Sequence, residues 1–180
     1  MACSTLQAIT RLCPVSVRPG ISKMWMIAFK DLYVISGTDV YTVGTSSNLV
    51  NAIGVTGSNK FVEIAALRDS NGFDSAYTIA PEKGVYFSTN TLSFKLSDLT
   101  VENKLFVDKV AGQPVAAILK SRTNKYYVLG LGGELEATAI QGTSGRATGD
   151  DLGYTLTFNE TADGVPNGVD PTLVPTIVAS

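Results

Sequence analysis

From Val85 to Leu96 the chain alternates, with Leu92, Phe94 and Leu96 on one side and Thr91, Ser93, Lys95 and Ser97 on the other. A repeat of two belongs to a strand with one face on a core and the other on solvent or a neighbour. The same repeat returns at Gly153 to Phe158, where Tyr154, Leu156 and Phe158 share the inward side. Short apolar bursts broken by turn residues fill much of the remainder, and they predict strands at Ile21 to Phe29, Asp31 to Ser36, Val40 to Val43 and Phe61 to Leu67. Further strands are expected at Phe73 to Ala80, Val115 to Leu119, Tyr126 to Leu129 and Glu134 to Ile140. The turns between them are Gly37-Thr38-Asp39, Asp69-Ser70-Asn71-Gly72, Pro81-Glu82-Lys83-Gly84 and Ser121-Arg122-Thr123-Asn124.

One helix interrupts the strands, around 99–111. Asp98 or Thr100 can cap its start, Leu99, Leu105, Phe106 and Val110 are apolar, and Gly112 with Pro114 stops it. At about three turns it cannot hold alone in water, so its apolar side must pack on a sheet. After Thr161 the pattern changes. Gly164, Pro166, Gly168, Pro171 and Pro175 argue against a central strand, yet Val165, Val169, Leu173, Val174, Ile177 and Val178 are too apolar for a solvated tail. Those six residues are expected to form an arm docked on a neighbouring subunit, the other reading being a tail wrapped on its own domain. The predicted organisation is therefore mainly β, a sandwich or barrel at 21–160 with one short helix, flanked by extended arms at 1–20 and 161–180.

With 180 residues there is room for one domain of ordinary size. Hydrophobic residues make up 44% and charged residues 17%, against about 25% charged in a typical soluble domain. Two arrangements fit so little charge: surfaces buried between subunits, or a large sheet with Ser/Thr-rich outer faces. The net charge of −2 is unlike the basic footprint of a domain that grips nucleic acid, though a surface past which DNA slides should lack Lys/Arg clusters too. Cys3 and Cys13 lie near the N-terminus without a later partner, so they cannot staple the core; small thiols from a reducing cytoplasm are the plain reading. The opening residues show no secretory signal, and Met24 to Phe29 is too short to span a bilayer, which predicts folding in the cytoplasm and no membrane partner.

The chain contains no His, so the usual acyl-transfer constellations cannot be assembled. Gly130-Leu131-Gly132-Gly133 hints at a phosphate loop but lacks the Gly-Lys-Ser/Thr ending and precedes a strand, so it reads as a tight turn. Asp69 to Asp74 misses the spacing of a calcium loop. Asp150-Asp151 lacks a second carboxylate across a cleft, as a glycosidase would need. Asn159-Glu160-Thr161 is a glycosylation sequon only in a secreted chain. The expectation is a non-enzymatic protein with no cofactor and no metal site.

Ala2-Cys3 with Leu6, Cys13 and Pro19-Gly20-Ile21 ahead of an aromatic strand form one set of landmarks. Tyr86 to Leu99, the helix, the pair Val115–Leu119 and Tyr126–Gly130, the run Leu129 to Thr138, and Thr143 to Asp150 followed by Gly153 to Phe158 form another. In their order these features resemble tail-tube-type virion structural proteins of tailed phages infecting Bacteroidetes; the likeness is thinnest in residues 37–80. The resemblance implies a homo-oligomer of hexameric, stacked rings, contacts with other tail or connector proteins, and transient, non-specific passage of DNA within a virion. It places ring and stacking contacts in the N-terminal segment, the loop from Thr45 to Lys60 and the C-terminal arm. A wet, neutral-to-acidic lumen would suit Glu134, Glu136, Asp150 and Asp151. Other structural readings are a head–tail connector, a tail terminator ring or a capsid decoration protein. More distant is a β-sandwich carbohydrate-active domain, which would need exposed aromatics along a groove.

Overall fold

A computed structural model describes residues 19–67, 70–80, 82, 85–145, 150 and 152–179. The strands run β1 (Ile21–Ala28), β2 (Tyr41–Val43), β3 (Val50–Ile53), β4 (Val62–Glu63), β5 (Gly72–Ala80) and β6 (Val85–Ser97). Helix α1 (Val101–Val110) follows, then β7 (Val115–Ser121), β8 (Tyr126–Leu129), β9 (Glu136–Thr143), β10 (Gly153–Ala162), β11 (Asn167–Val169) and the single turn α2 (Val174–Ile177). Among the described residues these strands make a seven-stranded sheet of order β2-β3-β11-β8-β7-β1-β4 and a four-stranded sheet of order β5-β6-β10-β9. The protein is mainly β with one short helix of ordinary length, as expected. In place of a closed barrel there are two open sheets, face to face.

The seven-stranded sheet is buried on both sides, which explains why its central strands read as unbroken apolar runs. From β1, Met24 and Met26 enter the core between the sheets, while Trp25 and Ile27 enter a second core on the far side. β7 divides likewise: Val115, Ala117 and Leu119 face the first core, Ala116 and Ile118 the second. The four-stranded sheet covers the first core with Leu92, Phe94 and Leu96 of β6 and Leu156 and Phe158 of β10. The rings of Phe94 and Phe158 stack at 5.8 Å, and both residues are fully buried. Each such side chain contributes about 1.5–3 kcal/mol relative to an exposed one.

The opposite face of that sheet is polar, and its central side chains are half-buried. By register it presents Thr89, Thr91 and Ser93 beside Thr155 and Thr157, and its charges are Asp74, Lys95 and Glu136. A Ser/Thr-rich sheet face therefore accounts for part of the low charge.

Thr100, not Asp98, caps α1, its hydroxyl accepting from the Asn103 amide at 3.2 Å. Val107 and Val110 bury the helix, whereas Leu105 is 54% exposed.

Several sequence expectations need correction. The segment after Thr161 is not an extended arm leaving the domain: β11 is inserted between β3 and β8, and Val169, Val174 and Ile177 are buried in the second core. Phe61 accepts the Ala179 amide and donates to the Ile177 carbonyl, at 2.8 and 2.9 Å, so the last turn is tied to its own chain. Its prolines fit because Pro166 and Pro171 flank β11 and Pro175 opens α2. Leu173 and Val178 pack partly against the same core, and only Val165 of the six proposed interface residues is well exposed, at 51%. Thr45 to Lys60 is not all loop, since β3 buries Val50 and Ile53. Asp31 to Ser36 pairs only at the isolated bridges of Leu32 and Ser36. Phe61 to Leu67 shortens to β4 with single bridges at Phe61 and Ala66. Cys3, Cys13, Asp151 and the arm up to residue 18 lie outside the described residues.

Candidate functional site

Past Leu92 and Phe158 the inward face of the four-stranded sheet changes from apolar to polar. The next inward positions are Asn90 on β6 and Glu160 on β10, cross-strand partners by register. Both are buried, with Glu160 only 8% exposed. Ser88 Oγ donates to Asn90 Oδ1 at 3.0 Å, and Asn90 Nδ2 donates to Glu160 Oε1 at 2.8 Å. The other oxygen, Oε2, accepts the Gly130 backbone N–H at 2.6 Å. Gly130 follows β8, so this carboxylate ties the end of one sheet to the other. Burial raises the Glu160 pKa above the usual carboxylate range. The bonds from Asn90 and Gly130 oppose that shift, and the charge of Glu134 adds to it.

Gly130 and Gly133 have φ of +80° and +81°, conformations that favour glycine. At Gly130 a Cβ would lie 2.2 Å from the Val115 carbonyl oxygen, so no side chain fits against β7 there. The turn from Gly130 to Gly133 closes through a bond from the Gly133 amide to the Gly130 carbonyl at 3.2 Å, as the tight-turn reading requires. The Gly130 amide is committed to Glu160, an anion already supplied by the chain.

Glu160 and Asn90 form part of the lining of a cleft of about 540 Å³, together with Asp39, Tyr41, Glu134 and Asp163. Its volume falls within the roughly 300–1,000 Å³ common for small-ligand sites. Of the three described residues proposed to line a lumen, Glu134, Glu136 and Asp150, only Glu134 reaches this cleft. Glu136 sits at the start of β9 opposite Asn159, on the outward face. Asp150 is exposed and outside the cleft lining, so the structure does not bring these three residues together.

Sequence reasoning meets Glu160 only inside a sequon. The signal is present in the alternation itself: two residues beyond Phe158, and two before Leu92, the inward side is polar on adjacent strands. Among the described residues no group of three or more His, Cys, Asp or Glu could hold a metal ion, and no helix is long and apolar enough to cross a membrane. Comparison with protein-family models, curated proteins and solved structures gave no match.

A second feature lies at the sheet edges. β5, nine residues long, and β9, eight, are the two outer strands of the four-stranded sheet. Each carries one charge, Asp74 or Glu136, and neither contains Lys or Pro. The seven-stranded sheet instead ends in β2 and β4, of three and two residues. β6 pairs with β10 only from Ser88 onward, so the β5–β6 hairpin projects beyond the sheet. Its exposed residues include Tyr77 at 48%, Ile79 at 68%, Val85 at 49% and Tyr86 at 57%.

Proposed function

We propose that this protein is a self-assembling structural subunit, whose copies join through the outer strands of the four-stranded sheet into rings of a phage tail tube. The observation that carries the reading is the pair of long, charge-poor edges, β5 and β9, on opposite sides of one sheet. Soluble proteins protect such edges with shortness, Lys, Pro or a covering element, because unpaired N–H and C=O groups recruit other strands. Two different edges on one subunit suit a head-to-tail contact, which closes into a ring when the rotation allows. The apolar hairpin tip beside β5 adds surface for the same contact.

Passage of DNA is the finer part of the proposal, and the tail-tube resemblance supplies it. Joined sheets would present a continuous face of Thr and Ser, with Lys95 as the one basic residue among its outward strand positions. A wall of that kind offers little to hold phosphates.

Size-exclusion chromatography with light scattering, followed by electron microscopy, tests the reading. Wild-type protein is expected to form rings or stacked rings, and a Thr78→Pro/Ile79→Lys variant to remain folded and monomeric. A wild-type monomer at high concentration across a range of salt would overturn self-assembly. Single, unstacked rings would instead favour a connector or terminator, and scattered knobs on a capsid a decoration protein.

A further inference from the structure

We infer that the cleft floored by Glu160 binds an organic cation, a primary ammonium or guanidinium head on a flexible chain. Glu160 is more than nine-tenths buried, yet both hydrogen bonds its carboxylate accepts come from neutral donors, an amide side chain and a backbone N–H. A buried carboxylate ordinarily has a cationic partner or becomes neutral. Among the described residues the cleft lining contains no Lys or Arg, while Asp39, Glu134 and Asp163 add negative charge around the same space. Two of the roughly four acceptor positions of the carboxylate are used.

An amide at position 160 could make the same two contacts without a buried charge. Glutamine Oε1 can accept from Gly130 and a flipped Asn90 amide can complete the chain to Ser88, at the loss of the bond from Asn90 Nδ2 to the Gly164 carbonyl at 3.3 Å. The contacts to Asn90 and Gly130 therefore do not by themselves require a charge at position 160.

Size and donor set select the guest. About 540 Å³ far exceeds a bare metal ion, and no cluster of three metal-ligating side chains is present among the described residues. An ammonium or guanidinium head reaching Glu160, with its chain lying past Tyr41 and Glu134, matches both the volume and the sign of the field. The head can come from a free polyamine-like molecule or from a Lys or Arg side chain of a second copy.

Isothermal titration calorimetry with putrescine and with arginine amide, against sodium chloride of matched ionic strength, tests it. The expected result is saturable binding of at least one amine, weakened by at least about tenfold in Glu160→Gln and by a few-fold in Glu134→Gln. Far-ultraviolet circular dichroism of each variant checks that the fold is retained. Heats equal to the salt control, or unchanged affinity in folded Glu160→Gln, would overturn the inference. To separate the sources, wild-type protein is diluted with and without putrescine. If the amine dissociates assemblies and Glu160→Gln weakens them similarly, the head belongs to a second copy; amine binding that leaves assembly untouched assigns the site to a free molecule.

Discussion

Replacing Gly130 with Ala should destabilise the protein severely, whereas the same change two residues later should be nearly silent. At Gly130 the backbone has φ +80°, and a side chain there carries a left-handed penalty of about 1–2 kcal/mol. The new Cβ would also lie 2.2 Å from the Val115 oxygen, 2.9 Å from the Leu135 Cβ and 3.0 Å from the Ala116 Cα. Two of those atoms belong to the backbone of a buried central strand, which cannot swing aside as a surface side chain can. Overpacking of this kind costs about 1–3 kcal/mol. Moving the turn away from β7 also strains the bond from the Gly130 amide to Glu160, and hydrogen bonds to charged groups contribute about 1.5–3 kcal/mol. Reduced freedom of the unfolded chain returns at most about 1 kcal/mol.

The net loss is therefore roughly 3–6 kcal/mol, a large share of the 5–15 kcal/mol that usually holds a domain together. Gly132, with no positive φ and nothing within 4 Å of where a methyl group would sit, should tolerate Ala within about 0.5 kcal/mol. Gly133 falls between, at roughly 1–3 kcal/mol: its φ is +81°, but the obstacle, 2.9 Å away, is the half-buried Phe29 ring. Urea unfolding followed by tryptophan fluorescence, with Trp25 in the second core, measures all three variants. A Gly130→Ala protein within about 1 kcal/mol of wild type, or a reversed order of Gly130 and Gly132, would refute the packing argument.

Glu160→Gln should be at least as stable as wild type at pH 7. Because burial raises the folded-state pKa of Glu160, its stabilising contribution is complete below the ordinary glutamate value and is lost as pH rises through the raised one. Unfolding curves between pH 4 and 8 should thus show the variant's advantage vanish toward the acid end; a variant less stable than wild type at pH 7 contradicts this. Phe158→Ala removes a fully buried ring stacked on Phe94 and should cost about 3–5 kcal/mol by the same denaturation assay. A loss under about 1 kcal/mol would mean that the inter-sheet core is not packed as described. Ile177→Ala should destabilise even the dilute monomer by about 2–4 kcal/mol, since the C-terminal turn is part of its own core. If that variant loses assembly while unfolding like wild type, the docked-arm reading returns.

The mainly β character is legible in the residues alone, because side-chain alternation is a local consequence of strand geometry. Val85 to Leu96, Gly153 to Phe158 and the helix after Thr100 accordingly lie close to where the pattern places them. Proline and glycine after Thr161 point locally to an extended arm, and that reading fails for a non-local reason. β11 pairs with β8 and, in parallel, with β3, strands distant in sequence, so only the assembled sheet could show that Val169 and Val174 lie inside. β3 escapes the pattern for a similar reason: a short strand with two inward residues, Val50 and Ile53, has too few alternations to stand out. Glu160 marks the same boundary at the candidate site. Its inward position follows from the alternation that begins at Tyr154. What it meets there, Gly130 from one sheet and Asn90 from the other, was decided by tertiary structure, because the two sheets must stack before a carboxylate on one can accept an amide from the other.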